Sequence, residues 1–230
     1  MQTLFKYIFL VPLFVSQVAL ADPFQGDMTS SNGAANPITE VTPYVNGDKK
    51  AVIVFFKFNC PACRSLHQSL ASWGKTLPKG IDYQMMPVLE PGDHQQISDE
   101  TALGLYTFWV VDKVGTRAQQ EAFASDAYAM VQDEGQGANR DRWLNLALSE
   151  GISRSKVAEA WKSEVPLMGA RFARQQHYKP TATPTMVICG KWMISPDSAN
   201  GDMDLFATLA NGLVSRCMEG LGIIFNKPRL

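Results

Sequence analysis

The feature that most constrains this chain is an apolar run that ends three residues before a pair of closely spaced cysteines. Residues 51–56 are β-branched, aromatic or small and lack polar alternation, which is typical of a strand covered on both faces. Cys60 and Cys63 follow, and Pro61 suits a first helical turn because it has no N–H to leave unpaired. The sequence therefore predicts a buried strand that leads two cysteines into the start of a helix.

The position of the cysteine pair has a chemical consequence. At a helix start, unpaired backbone N–H groups and the positive end of the helix dipole stabilise a thiolate, so Cys60 is the predicted nucleophile. Cys63 lies one turn further on and is expected to be the more buried, resolving thiol. A substrate thiolate would attack the Cys60 sulfur, and a second substrate cysteine would resolve the mixed disulfide. Half of a zinc site is the disfavoured alternative, because the chain has no second Cys-x-x-Cys.

Beyond the first helix, the chain contains a long helical block and several further strands. Residues 96–178 carry helix signals and no convincing strand, and they predict three to five helical segments. Thr116 and Gln119 can form a capping box at the start of one of them. A tight turn at Gly190 is expected between the last two strands. The predicted strands are 81–88, 185–188 and 191–194, and the apolar face of the final helix consists of Phe206, Leu209, Leu213 and Cys217.

The N-terminal residues differ from the rest of the chain. Residues 1–21 combine a lysine, an apolar run and a small-residue site at 19–21, which is typical of a cleavable signal peptide. An uncleaved anchor is the alternative, but the apolar run is shorter than the ~20 residues that span a bilayer. Export leads to an oxidising compartment, where cysteines form and exchange disulfides. Residues 22–50 predict a flexible segment with one short strand near 38–45.

The overall composition narrows the class of protein further. Hydrophobic residues make up 46% and charged residues 19% of the 230 residues, which is the range of ordinary globular proteins. The net charge of −1 lacks the positive excess that neutralises phosphates, so nucleic acid is not an expected partner. No metal and no cofactor other than the Cys60–Cys63 disulfide is expected.

Several motifs together resemble the DsbA family of periplasmic thiol:disulfide oxidoreductases, within the thioredoxin superfamily. The resemblance runs from about Ala51 to Cys217, with the motifs in the same order and at similar spacing. The cysteine motif is common to thioredoxin-like proteins, whereas the helical block and the later motifs point to DsbA. The motifs are Phe55-Phe56-x-Phe58-x-Cys60-Pro61-x-Cys63, Gly151-Ile152, Ala160-Trp161-x-Ser163, Thr183-Pro184-Thr185-Met186 and Gly190-Lys191-Trp192.

The resemblance implies an α/β fold, namely a thioredoxin fold with a central mixed sheet flanked by helices and an inserted all-helical domain. It implies a cis bond between Thr183 and Pro184, in a loop that faces the cysteines and pairs with the substrate backbone. The implied partners are reduced, unfolded exported proteins and a DsbB-type membrane quinone reductase, and the protein is expected to be a periplasmic monomer. The expected divisions are 51–95 with 179–218 for the thioredoxin-like domain, 96–178 for the helical domain and 219–230 for a C-terminal tail.

Two positions depart from the family pattern. Ala62 stands where well-known members have histidine, and the missing imidazole should weaken thiolate stabilisation. Val54 stands where such members place a buried acid that takes part in proton transfer. We therefore expect a dithiol oxidase that is weaker than the family type.

Some alternatives remain open at the level of sequence. Cys189 and Cys217 could form a structural disulfide or remain two buried thiols, since the choice depends on a Cα separation below ~7 Å. A disulfide isomerase or reductase of the same fold is the rival within this chemistry. A chaperone-like module that binds exported chains without catalysis is the rival of another class.

Overall fold

The computed structural model describes residues 37–89 and 99–222. The predicted signal peptide and most of the apolar C-terminal tail lie outside the described residues. None of the described helices is both long enough and apolar enough to cross a membrane.

Five strands form one mixed sheet in the order β1-β5-β4-β2-β3. The strand β2 lies between a parallel neighbour, β3, and an antiparallel neighbour, β4, and all six of its residues are buried. The uninterrupted apolar run therefore occupies an interior strand, as predicted. The strands are β1 (Thr39–Glu40), β2 (Ala51–Phe56), β3 (Asp82–Pro87), β4 (Thr185–Ile188) and β5 (Trp192–Ile194).

Helices flank the sheet, and five of them lie between β3 and β4 in the chain. This inserted block confirms the predicted fold class. The capping box of Thr116 and Gln119 opens the third helix, so local sequence sets that boundary. The helices are α1 (Pro61–Gly74), α2 (Asp99–Val114), α3 (Arg117–Gln132), α4 (Arg140–Ser149), α5 (Arg154–Glu164), α6 (Met168–Tyr178) and α7 (Met203–Gly220).

The two faces of the sheet contribute to two hydrophobic cores. Alternate residues of β2 point to opposite faces, so Ile53 and Phe55 pack with the helical insertion while Val52 and Val54 pack with α7. The helix α1 contributes to both cores, with Cys63 in the first and Leu70 in the second. The cysteine helix is thus held between the sheet and the inserted helices.

Residues 37–50 include the strand β1, where the sequence predicted one short strand, and long-range contacts attach this segment to α6. Asp48 is buried at 6% exposure, and its carboxylate accepts a hydrogen bond from Nε of Arg174 at 3.0 Å and another from the hydroxyl of Tyr178. These partners lie 126 and 130 residues away along the chain. Composition within the segment could not indicate them.

Cys189 and Cys217 are joined by a disulfide with a Cα separation of 6.2 Å. The bridge ties the β4–β5 turn to α7. Cys189 and Gly190 both have positive φ, 54° and 68°, as the central residues of a type I′ turn require. A Cβ on Gly190 would lie 2.4 Å from the carbonyl oxygen of Val45, so this turn needs glycine for space as well as for conformation.

Candidate active site

The Cys60 sulfur lies at the start of α1, where the sequence predicted it. Cys60 is the N-cap residue of the helix, and its Sγ accepts a hydrogen bond from the backbone N–H of Cys63 at 3.1 Å. Both cysteines are free thiols in this structure; Cys60 is half-buried and Cys63 is buried. The helix thus presents one sulfur to an incoming reactant and shields the other.

The Thr183–Pro184 loop lies against the first cysteine. Its peptide bond is cis, and the Cys60 thiol donates a hydrogen bond to the carbonyl oxygen of Thr183 at 3.3 Å. The two residues are 123 positions apart in sequence. The fold therefore brings together the two motifs that the sequence could only relate by resemblance.

The protonation of Cys63 is set mainly by its surroundings. Burial, followed by the hydrogen bond with Cys60, raises the pKa of the Cys63 thiol to about 12. At neutral pH this sulfur therefore stays protonated. The pKa of the Tyr128 phenol is also well above its usual value. Burial is the main cause, and the nearby sulfurs of Cys63 and Cys60 raise it further.

An aromatic cluster fixes the loop that leads into the cysteines. The ring of Phe58 lies 5.1 Å from that of Phe56, 5.4 Å from Tyr128 and 5.2 Å from Trp143, measured between centroids. Edge-on and tilted contacts at such distances are favourable beyond the burial of their area. Because Tyr128 and Trp143 belong to α3 and α4, the inserted helices hold the backbone two residues before Cys60.

The C-terminal end of α3 braces the same loop through residues that sequence reasoning missed. The side-chain amide of Gln132 donates to the carbonyl oxygens of Phe58 at 2.7 Å and Cys60 at 3.1 Å. The next residue, Asp133, accepts two hydrogen bonds of 2.6 Å from the guanidinium of Arg64. No local pattern marks a glutamine at a helix end as a loop partner, since the contact depends on how α3 packs on α1.

Three further residues near the cysteines have structural surroundings. His67 is 5% exposed and contacts the carbonyl oxygen of Glu121 through Nε2 at 3.1 Å. Val54 is 3% exposed within the sheet, where it pairs with Met85 and Met186. Ala62 is exposed in the first turn of α1. In the parts of the chain that the structure describes, no group of three or more His, Cys, Asp or Glu residues is placed to bind a metal ion.

The fold and the dithiol at a helix start are those of the thioredoxin-fold thiol:disulfide oxidoreductases. Comparison with known proteins agrees with that class, although no protein-family profile matches the chain. The thiol:disulfide interchange protein DsbA of Pseudomonas syringae pv. tomato is 24% identical over 174 residues, which cover 71% of this chain and 73% of the relative. The DsbA of Pseudomonas aeruginosa PAO1 is 20% identical over 198 residues, covering 82% and 88%.

Solved structures share the fold. The crystal structure of Pseudomonas aeruginosa DsbA matches with a TM-score of 0.68 at 18% identity, covering 81% of this chain and 94% of that one. A Proteus mirabilis DsbA in complex with the non-covalently bound peptide PWATCDS matches with a TM-score of 0.64 at 18% identity, covering 78% and 96%. The resemblance predicted from the sequence is confirmed. The chain is thus similar to DsbA proteins in sequence and shares the fold of their solved structures.

Proposed function

We propose that the protein is a periplasmic dithiol oxidase that introduces disulfide bonds into exported proteins through a mixed disulfide at Cys60. The observation that carries the proposal is the position of the Cys60 sulfur, which accepts the Cys63 N–H at the start of α1. Helix-terminal N–H groups and the helix dipole favour a negative charge at this place. A sulfur that is stable as a thiolate is a good leaving group, and this makes the disulfide form of the enzyme oxidising.

The reaction begins with the enzyme in its disulfide form. A thiolate of the client attacks Cys60 Sγ, the Cys60–Cys63 bond breaks, and the electron pair leaves with Cys63, which takes up a proton. A second client thiolate then attacks the client sulfur of the mixed disulfide and expels the Cys60 thiolate. The client has lost two electrons and the enzyme has gained them. We propose that a DsbB-type membrane partner returns these electrons to a quinone.

The buried second thiol favours release of an oxidised client. Because its pKa is raised to about 12, Cys63 is a thiolate in only a minute fraction of molecules at neutral pH. Attack by Cys63 on the mixed disulfide, which would return the client in its reduced form, is therefore slow. The client's own second cysteine then has time to complete the oxidation.

The client backbone is proposed to bind along the Thr183–Pro184 loop. The carbonyl oxygen of Thr183 already lies 3.3 Å from Cys60 Sγ, so a chain attached to that sulfur passes beside the loop. A related DsbA binds a cysteine-containing peptide, which supports a peptide ligand for this surface. The signal-like sequence at 1–21 supports the periplasm as the place of action.

The oxidant is proposed to be weaker than the family type, for which the reduction potential is about −120 mV. Ala62 lacks an imidazole that could stabilise the Cys60 thiolate, and Val54 lacks a carboxyl group that could take part in proton transfer in the interior. Equilibrium of the Cys60–Cys63 pair with glutathione measures the potential. A value at or above that of the family type would contradict this part of the proposal.

Oxidation of a reduced, unfolded protein that contains two cysteines tests the function. The wild-type protein should form the client disulfide, whereas Cys60→Ser and Cys63→Ser should not, because neither variant can form the Cys60–Cys63 disulfide that accepts the client's electrons. A variant with Cys189→Ala and Cys217→Ala is the matched control, because it removes two cysteines and leaves the dithiol intact.

Two further outcomes distinguish the rivals. Faster recovery of a scrambled client than of a reduced one would indicate an isomerase. Full cellular function of Cys60→Ser would indicate a binding module without redox chemistry.

A further inference from the structure

An apolar groove of about 430 Å³ crosses the inserted helical block. Its lining residues come from α2, α4 and α5. This volume lies within the range of small-ligand sites, but the groove is open along the surface. Its apolar lining consists of Leu103, Leu144, Val157, Ala158 and Trp161.

Three cations also line this groove, and they lack the carboxylate partners that five arginines elsewhere in the described residues have. Arg140, Arg154 and Lys162 are exposed, and none of them has an acidic partner within residues 37–89 and 99–222. Five other arginines pair with carboxylates: Arg64, Arg117, Arg142, Arg171 and Arg174. The rim of the groove therefore carries unneutralised positive charge.

Two of these cations lie at helix N-termini, where a positive charge does not stabilise the helix. Arg140 is the first residue of α4 and Arg154 is the first residue of α5. Positive charge is disfavoured at a helix N-terminus, where the dipole is also positive. An anionic group bound at the rim would relieve both charges, and the apolar lining would accept the hydrophobic part of the same ligand.

The helix α2 connects the groove to the loop that carries Cys60. Leu103 of α2 lines the groove, whereas the next residue, Gly104, lies against Phe58, whose ring would be 3.3 Å from a Cβ at that position. Gly104 also lines a cleft of about 40 Å³ with Lys57 and Asn59. Groove and active-site loop therefore contact the same turn of α2.

We infer that the groove binds an apolar, acidic stretch of the unfolded client chain while a cysteine of that client exchanges at Cys60. The inference rests on the proposed function, because it names the class of client segment that the enzyme holds. When the groove holds one segment of the client, the reaction of a client cysteine at Cys60 becomes intramolecular. This raises the effective concentration of the client thiol. Clients with acidic, apolar segments are then oxidised in preference to basic ones.

The test measures binding to the oxidised full-length protein by fluorescence anisotropy. The probe is a labelled peptide without cysteine, in which leucine and phenylalanine are flanked by aspartate and glutamate. The matched probe replaces each acidic residue with lysine. We expect the acidic probe to bind at least tenfold more tightly than the basic probe, and the double variant Arg140→Gln, Arg154→Gln to lose that difference.

Lys156→Gln is the control variant, because Lys156 is an exposed cation on α5 that does not line the groove. It should bind the acidic probe as the wild type does. Equal binding of the two probes, or retention of the difference in the double variant, would overturn the inference. Binding of dodecanoate, measured by calorimetry, with no binding of the acidic peptide would also overturn it, in favour of a small amphiphile.

A second readout separates this inference from the proposed function. The oxidation of dithiothreitol needs the dithiol but not the groove, so the double variant should oxidise dithiothreitol at the wild-type rate. Charge-selective peptide binding by a protein that oxidises no dithiol would overturn the proposed function and the client role of the groove. Normal oxidation without charge-selective binding would overturn the groove alone.

Discussion

The side-chain amide of Gln132, the last residue of α3, donates a 3.1 Å hydrogen bond to the backbone carbonyl of Cys60. The same amide also holds the carbonyl of Phe58 at 2.7 Å. The helical insertion thus contacts the backbone of the redox loop directly. Gln132 touches neither sulfur in these contacts, so it is a positioning residue that holds the loop in the conformation where Cys60 Sγ accepts the Cys63 N–H.

Removal of this brace should shift the redox equilibrium. Gln132→Ala leaves two carbonyls without their partner, and the loss of one net hydrogen bond corresponds to about 1 kcal/mol, or roughly fivefold in an equilibrium constant. We expect the equilibrium with glutathione to move by about that factor toward the oxidised enzyme, because the thiolate site is less well formed. Gln68→Ala, an exposed change on α1, is the control. A lower melting temperature with an unchanged equilibrium would assign Gln132 a purely structural role.

The raised pKa of Cys63 predicts a steep pH dependence for one step. In a mixed disulfide of glutathione with Cys60, release of glutathione by Cys63 requires the Cys63 thiolate. With a pKa of about 12, the thiolate fraction rises tenfold for each pH unit, so the release rate should rise about tenfold per unit between pH 7 and pH 9. Rapid-quench thiol analysis measures this rate, and Cys63→Ser should abolish the release. A rate that levels off below pH 9 would show that burial does not hold this thiol protonated.

The disulfide between Cys189 and Cys217 should contribute stability and not activity. It closes a loop with a sequence separation of 28 residues, for which chain entropy gives about 3.6 kcal/mol. The variant with Cys189→Ala and Cys217→Ala should lose about that much unfolding free energy in urea and keep its rate of client oxidation. An unchanged urea midpoint would indicate that the bridge is absent from the protein in solution.

Burial of His67 predicts a loss of stability on acidification. Burial lowers the pKa of this imidazole below its usual value of 6.5, so the unfolded chain binds a proton that the folded chain excludes. The free energy of unfolding should therefore fall as the pH decreases below about 6.5. His67→Gln cannot take up this proton and should flatten the decline between pH 6.5 and pH 5 in urea titrations. An unchanged slope in His67→Gln would contradict this prediction.

Local sequence patterns were sufficient to predict most of the helices and strands, while the fold class came from the family resemblance. The strand at Ala51–Phe56 has the predicted bounds, α1 begins at Pro61, and the helical block contains five helices. Each of these follows from periodicity, capping or turn chemistry within a few residues. The resemblance then supplied the pairing of Cys60 with the Thr183–Pro184 loop, which no local pattern gives.

Contacts between distant segments could not be predicted in this way. The partners of Asp48 lie on α6, and the partner of the Cys60 carbonyl lies at the end of α3. Polar residues at such positions look like solvent-facing ones until the helices are packed. The disulfide was undecided for the same reason, since it depends on a Cα separation of 6.2 Å that only the fold determines.

Alkylation of the reduced protein with iodoacetamide at pH 5 tests the central claim most directly. The account predicts that Cys60, which is half-buried, is modified, while Cys63, whose pKa burial raises to about 12, is left unmodified. Peptide mass mapping over time gives the rate at each sulfur. Equal modification of both sulfurs, or faster modification of Cys63, would contradict it.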